Sequence, residues 1–182
     1  MSGALDRAGR IRQAVDSVPD PELGGVTIGD LGLVVDVTVS AADAVDVALT
    51  PTFLGCPALG LIDADVRAAA LTAGASSVEV RYVHVPMWSP SLISVRGRSQ
   101  LAALGIGVPG TDGTVCTCPL CGEDALTSAS TVGPTACRSV LWCSACRNVV
   151  EVMRSADRAD HAEPVALGPS RLQAGQGPYV HV

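Results

Sequence analysis

The chain has no lysine, very few aromatic residues, few histidines and no long apolar run, and each absence excludes something. All twelve basic residues are arginine, and eighteen acidic residues outnumber them to leave a formal net charge of −6. With a sequence pI near 4.9, nucleic acid is excluded as the expected partner, because phosphate recognition needs a basic face. Around the cysteine-rich segment the only arginines are Arg138, Arg147 and Arg154. No stretch of about 18 consecutive apolar residues occurs, so neither a membrane-spanning helix nor a membrane partner is expected. Residues 1–12 carry charges with no apolar segment behind them, so no secretory signal is read and the expected compartment is the cytoplasm. Aromatics make up 3% of the chain against 48% hydrophobic residues. Its core must therefore be built from Val, Leu, Ile and Ala. At 182 residues there is room for one ordinary domain and a small module.

What the chain does have is seven cysteines. Four of them form two C-x-x-C pairs, Cys118-Pro-Leu-Cys121-Gly122 and Cys143-Ser-Ala-Cys146. Two such pairs at this separation match the spacing of a zinc ribbon, in which four thiolates close tetrahedrally around one ion. Pro119 stiffens the first turn, and Gly122 is free to take positive φ so that backbone N–H groups face the sulfurs. Structural disulfides are the alternative, and a reducing compartment argues against them. Four thiolates suit structural zinc first and a single rubredoxin-like iron second. Cys116 lies two residues before the first pair, a separation that seldom lets both sulfurs bind one zinc, and it reads as a spare or alternative ligand. His84, His161 and His181 have no clustered partners.

Hydrophobic periodicity divides the chain. Residues 4–18 carry helical spacing ended by Pro19, and Asp20-Pro21-Glu22-Leu23-Gly24-Gly25 reads as a turn. Residues 31–39 and 44–49 alternate as strands around a hairpin loop at 41–43. Residues 58–73 read as a helix stopped by Gly74, 78–85 as a third strand and 94–104 as a short helix. The fold class expected is α+β. A small mixed α/β domain spans 1–105, a Gly/Pro linker 106–113 and a four-cysteine ribbon 114–154, with strands at 139–142 and 148–153. The segment 155–182 is Asp/Ala/Gly/Pro/Gln-rich and reads as a disordered tail.

Cys56 is placed after a strand, with Gly55 before it and Pro57 at the start of the next helix. Backbone N–H groups and the dipole at a helix start lower a thiol's pKa, which suits a ligand or a nucleophile. The bland alternative is a buried, inert cysteine.

Three segments, Asp20-Pro21-Glu22, Asp30-Leu31-Gly32 and the loop Thr50-Pro51-Thr52-Phe53-Leu54-Gly55-Cys56-Pro57, resemble the MIP18-like (domain of unknown function 59) family over roughly residues 11–104. The resemblance implies a role in maturing iron–sulfur proteins. On this chain it implies Cys56 as the residue that holds or passes on a metal or cluster, with Thr50, Thr52, Glu22 and Asp30 as polar neighbours. With the ribbon included, residues 11–153 resemble the D-subunit family of phenylacetyl-CoA oxygenase (epoxidase) systems, in which C-P-x-C-G, S-T-A-C-[KR] and C-x-x-C follow in order. Here these are Cys118–Gly122, Pro134-Thr135-Ala136-Cys137-Arg138 and Cys143–Cys146. Cys137 therefore matches the family's central cysteine. It is a candidate additional ligand, with Cys56 or within the ribbon, or a buried small residue. Two departures stand out. Ser91 occupies a position where the family commonly has Asp, and Val132-Gly133-Pro134-Thr135 replaces F-G-S-T.

The function implied is an accessory assembly factor that carries iron or an iron–sulfur cluster transiently on Cys56. Its ribbon would dock an oxygenase or reductase component of a phenylacetyl-CoA oxygenase system in aerobic phenylacetate degradation. Two alternatives stay open: a structural subunit that binds the oxygenase through its ribbon, and a thiol-dependent enzyme using Cys56, which would need a general base that no nearby histidine supplies. Homo-oligomer formation also stays open.

Overall fold

The structure is a computed structural model, and it describes residues 2–110 and 116–154. The segment read as a tail and two of the three histidines, His161 and His181, lie outside the described residues. Helix α1 spans Ser2–Asp16 and inserts Ile11 and Val15, one turn apart, fully into the core. Strands β1 (Val34–Val39) and β2 (Ala44–Leu49) form an antiparallel hairpin, and Asp43 takes φ 60° in its loop. Helix α2 (Leu59–Thr72) then crosses over to strand β3 (Ser77–Tyr82), which pairs in parallel with β2. Strand order is β1-β2-β3.

The periodicities account for these elements. Ile62, Val66 and Ala70 recur every fourth residue and form the buried stripe of α2. That helix ends because Gly74 takes φ 107°, while the Gly74 and Ala75 N–H groups bond to the carbonyls of Leu71 and Ala70, the two closing bonds of a Schellman motif. Val45, Val47 and Leu49 point inward from the central strand. β1 starts at Val34, later than alternation alone suggests, because Leu31-Gly32 is a turn with Gly32 at φ 70°.

Helix α3 (Val95–Ala103) follows a 3-10 turn, Pro90–Leu92, and is capped by Ser94, whose Oγ accepts from the Gly97 N–H. Strand β4 (Ile106–Gly107) lies within the stretch read as linker. It pairs in parallel with the last strand of the ribbon, so the linker expected to begin at residue 106 is joined to the ribbon's sheet from its first residue. Two residues carry no alternation, and the partner strand is remote in sequence, so periodicity does not report the pairing. Strands β5 (Leu126–Ser130), β6 (Arg138–Cys143) and β7 (Val149–Met153) complete a sheet of order β4-β7-β6-β5. β5 lies outside the strands expected for the ribbon; its residues are mostly exposed and polar, so it has no apolar face to betray it.

The main core runs through this junction. Ile106 from β4 and Met153 from β7 are buried in the same cluster as Ile11, Val47 and Val66. Arg98 ties the connection further, donating from one Nη to the Pro109 carbonyl and from the other to that of Pro90. Among the described residues, no helix is long and apolar enough to cross a membrane.

Candidate functional site

Two cysteine sites emerge, and they differ in kind. The first is the ribbon quartet. Each C-x-x-C pair forms one tight turn built by the same bonds. Gly122 N–H bonds to the Cys118 carbonyl at 2.8 Å, and Arg147 N–H bonds to the Cys143 carbonyl at 2.8 Å. Each turn closes on a left-handed residue, Gly122 at φ 79° and Arg147 at φ 60°. The expectation for Gly122 is met, and the second turn adopts the same shape with a non-glycine residue.

These turns bring Cys118, Cys121, Cys143 and Cys146 together, all four sulfurs within 4.8 Å of one another. Cys118 and Cys146 Sγ are 3.8 Å apart, and Cys121 and Cys143 Sγ 3.7 Å. A tetrahedron with metal–sulfur bonds of about 2.3 Å has edges of about 3.8 Å, so the spacing fits one zinc ion. Protons are shared unevenly in this group. The Glu123 N–H favours the Cys121 thiolate, yet burial and the contacts with Cys118, Cys143 and Cys146 push its pKa up to about 12. Cys146, favoured by the Asn148 side chain, is held down to about 6. Sulfurs competing for protons in this way are an arrangement that a divalent cation satisfies. Among the described residues this is the one group of three or more candidate ligands close enough to share an ion as it stands. Cys116 is half-buried beside it and packs on the ribbon core, not in the quartet.

The second site centres on Cys56. The loop before α2 returns on itself, with the Cys56 N–H bonded to the Phe53 carbonyl and the Leu59 N–H to that of Cys56. α2 itself begins at Leu59 with Ala58 as its cap residue, one position beyond the expected start, and no side chain caps it. The Ala58 backbone N–H acts on the Cys56 thiol in favour of its charged form. A cavity of about 20 Å³ lies over this loop, lined by Cys56, Pro51, Thr52, Asp20, Glu22 and Cys137 above a floor that includes Leu31, Ile62 and Met153. The D-P-E turn reaches the cavity because Asp20 Oδ1 accepts from the Glu22 and Leu23 N–H groups at 2.9 and 3.0 Å, an Asx turn. Asp20 is not among the expected site residues, although it belongs to the same motif as Glu22.

The Cys56 thiol does not titrate as expected. Burial pushes its pKa up, and the negative charges of Glu22, Cys137 and Asp20 act in the same direction; the Ala58 N–H opposes them and is outweighed. Burial likewise raises the Asp20 carboxyl, against the N–H groups of Glu22 and Leu23.

Not every expected neighbour lines the cavity. Thr52 and Glu22 do, whereas Thr50 and Asp30 do not. Thr50 is buried with its hydroxyl donating to the Pro86 carbonyl at 3.0 Å. The Asp30 carboxylate accepts from Ser94 Oγ at 2.7 Å and from Arg96 Nε at 2.9 and 3.0 Å. Burial alone would raise the Asp30 pKa, but these bonds and that of Thr27 hold it below the usual carboxylate range. Ser91 is also absent from the lining; its hydroxyl pairs with Ser89 Oγ at 3.0 Å. His84 is exposed on the segment after β3 and does not line the cavity.

Comparison with known proteins assigns both modules. The family described as iron-sulfur cluster assembly protein matches residues 9–82, and the PaaD zinc beta ribbon domain matches residues 108–154. A protein of Escherichia coli (strain K12), named as the D subunit of a "Putative 1,2-phenylacetyl-CoA epoxidase", is 33% identical over 141 residues, covering 73% of this chain and 84% of that one. The "Fe-S protein maturation auxiliary factor YitW" of Bacillus subtilis (strain 168) is 37% identical over 97 residues, covering 53% of this chain and 91% of that one. A solved domain of unknown function DUF59 from Bacillus anthracis is 35% identical, covers 56% of this chain and 93% of its own, and superposes with a TM-score of 0.49. The two family matches and the Escherichia coli relative show that the chain belongs to the DUF59 (MIP18-like) iron–sulfur cluster assembly family, in its branch with a C-terminal PaaD zinc ribbon.

Proposed function

We propose that this protein is an accessory factor that matures a phenylacetyl-CoA oxygenase system, passing iron or an iron–sulfur cluster to one of its components through Cys56. The observation that carries the reading is the setting of Cys56. Its thiol is half-exposed at a cavity rimmed by Asp20 and Glu22, on a loop that also exposes Phe53 and Leu54. An inert core cysteine would have neither the opening nor the carboxylates.

The chemistry is ligand exchange. A cation bound at Cys56 displaces the thiol proton to solvent, and a recipient's ligands then displace Cys56 from the cation. A carrier that leaves part of the coordination sphere to weak ligands suits such release. The ribbon quartet, closed by four sulfurs, offers no open position and serves as a structural zinc site. It folds a module of too few residues to rely on its own core. The Escherichia coli relative's name supports the oxygenase as recipient, and that of the Bacillus subtilis relative supports iron–sulfur protein maturation as the broader class.

The experiment is maturation of the oxygenase system, in cells lacking the endogenous factor, by the wild type and by Cys56→Ser. Oxygenase activity and its iron content should fall together with Cys56→Ser while the variant keeps its ribbon zinc. Full activity with Cys56→Ser would refute the carrier role and leave the ribbon-based structural subunit as the function.

A further inference from the structure

Cys137 is placed by the ribbon but does not belong to the ribbon's quartet. It precedes β6 and lines the Cys56 cavity from the opposite module, close enough for its charge to act on Cys56. Its surroundings are those of a ligand. Cys137 Sγ lies 3.2 Å from Thr135 Oγ1, and Thr135 Oγ1 accepts from Arg138 Nε at 2.8 Å. With one lone pair of the hydroxyl engaged by the guanidinium, its hydrogen is free to point at Cys137 sulfur. Arg138 is in turn fixed by Glu151 at 2.7 Å, and its own side chain is only 12% exposed. The Glu151–Arg138–Thr135 chain fixes the hydroxyl beside the Cys137 sulfur, the kind of outer support that orients a metal-binding residue. On the other wall, Cys56 lines the same cavity beside Glu22 and Thr52.

We propose that Cys56 and Cys137 together hold a single divalent transition-metal ion of the iron(II) class across the junction of the two modules, with Glu22 completing the coordination from the cavity rim. This rests on the carrier reading above and narrows its cargo. Two thiolates neutralise a dication, and each thiol releases one proton to solvent as its sulfur coordinates. Soft sulfur with carboxylate oxygen suits iron(II), cobalt(II) or zinc(II) over magnesium or calcium. The cavity's volume of about 20 Å³ is close to the space one water molecule requires. A space of that size suits one ion, and two thiolates with one carboxylate supply a donor set for a single dication. The ligands of the quartet already lie within reach of one ion, whereas Cys56, Cys137 and Glu22 must draw together on binding. Such a site holds its ion less tightly than the ribbon does and releases it first.

The test is anaerobic titration of the full chain, its ribbon already loaded with zinc, with cobalt(II) as the probe. One cobalt should bind per chain, with a sulfur-to-cobalt charge-transfer band in the near ultraviolet. Cys56→Ser and Cys137→Ser should each cut that band to about half and weaken binding at least tenfold, while ribbon zinc, measured by elemental analysis, stays at one per chain. Glu22→Gln should weaken binding and leave the charge-transfer intensity unchanged. Cobalt binding unaltered by Cys137→Ser would overturn the shared site while leaving Cys56 as a carrier. Binding lost in both cysteine variants, alongside full oxygenase maturation by Cys56→Ser, would uphold the shared site and refute the carrier role. Binding of two irons with two sulfides per chain on anaerobic reconstitution would overturn the single-ion assignment.

Discussion

Arg96 closes its guanidinium over the buried carboxylate of Asp30, with Nε 3.0 and 2.9 Å from its two oxygens and one Nη 2.8 Å from Oδ2. The same carboxylate accepts from Ser94 Oγ and Thr27 Oγ1, and the Asp30 carbonyl accepts from the Ser94 N–H. Asp30 thereby joins the turn before β1 to the start of α3, and the glycine at Gly97 permits it, since a Cβ there would come within 2.6 Å of the Asp30 carbonyl oxygen. Within the D-L-G segment, Asp30 organises the scaffold behind the Cys56 loop, and Leu31 reaches the cavity floor.

Asp30 should leave a signature in acid. Its folded pKa lies below the ordinary value, so the folded state binds this proton less readily than the unfolded chain. The stability it contributes is present above the unfolded pKa of about 3.9 and is lost as pH falls through the folded value. Asp16 and Asp20 have raised values, chiefly from burial, and act with the opposite sign. Urea unfolding of wild type and Asp30→Asn from neutral pH to about pH 2.5 should give a difference that shrinks with acidification. A constant difference would show that the ionised form contributes nothing special. At neutral pH, Asp30→Ala should cost about 1–3 kcal/mol, since Ser94 and Thr27 lose their acceptor.

Trp88 is fully buried, and its Nε1–H donates to the Leu31 carbonyl at 2.8 Å. Trp88→Phe keeps much of the apolar volume but strands that carbonyl in a dry site. A loss of about 1–3 kcal/mol is expected, read as a shift of the denaturation midpoint with unchanged slope.

Removing the ribbon's metal should unfold more than the ribbon. β6 carries Cys143 and pairs with β7, β7 reaches the shared core through Met153, and β4 pairs with β7 in turn. Chelation under reducing conditions, followed by far-ultraviolet circular dichroism and proteolysis, should expose both the ribbon and the region around Ile106. Re-addition of zinc should restore protection. Ribbon structure unchanged after complete zinc removal would show that the quartet is not what folds it.

The two knuckles predict opposite responses to one exchange. Gly122→Ala forces an L-residue into the left-handed region and should cost about 1–2 kcal/mol. No atom would clash with the new Cβ, so the cost is conformational. Arg147→Gly relieves the same strain and should leave stability equal or slightly higher. The readout is zinc affinity in competition with a chromophoric chelator; equal changes in both variants would mean that the turn angles are irrelevant to metal binding.

Much of this molecule is written locally. The helix stripe of α2, its stop at Gly74, the β1–β2 hairpin and the two C-x-x-C turns all depend on residues within a few positions of one another, so spacing alone reports them. β5 escapes because its residues are polar and exposed, and β4 because two residues carry no period. The site is half legible. Cys56, Thr52 and Glu22 share a cavity, but Thr50 and Asp30, drawn from the same motifs, spend their polar atoms on Pro86 and Arg96. A motif records which residues a fold requires, and it does not distinguish those that face the opening from those that hold the loop in place.

By itself the sequence determined a four-thiolate ribbon, a separate cysteine on a tight loop, and an acidic net charge. Ligand type, ligand spacing and net charge are properties of residue order, and they survive without coordinates. Only the tertiary structure decided that Cys56 and Cys137 share one cavity, that Asp20 joins Glu22 there, and that burial raises the Cys56 pKa where the helix start alone would lower it. Those outcomes depend on packing the ribbon against the α/β domain through β4, Ile106 and Met153. Desolvation and contacts between distant segments arise only from that packing.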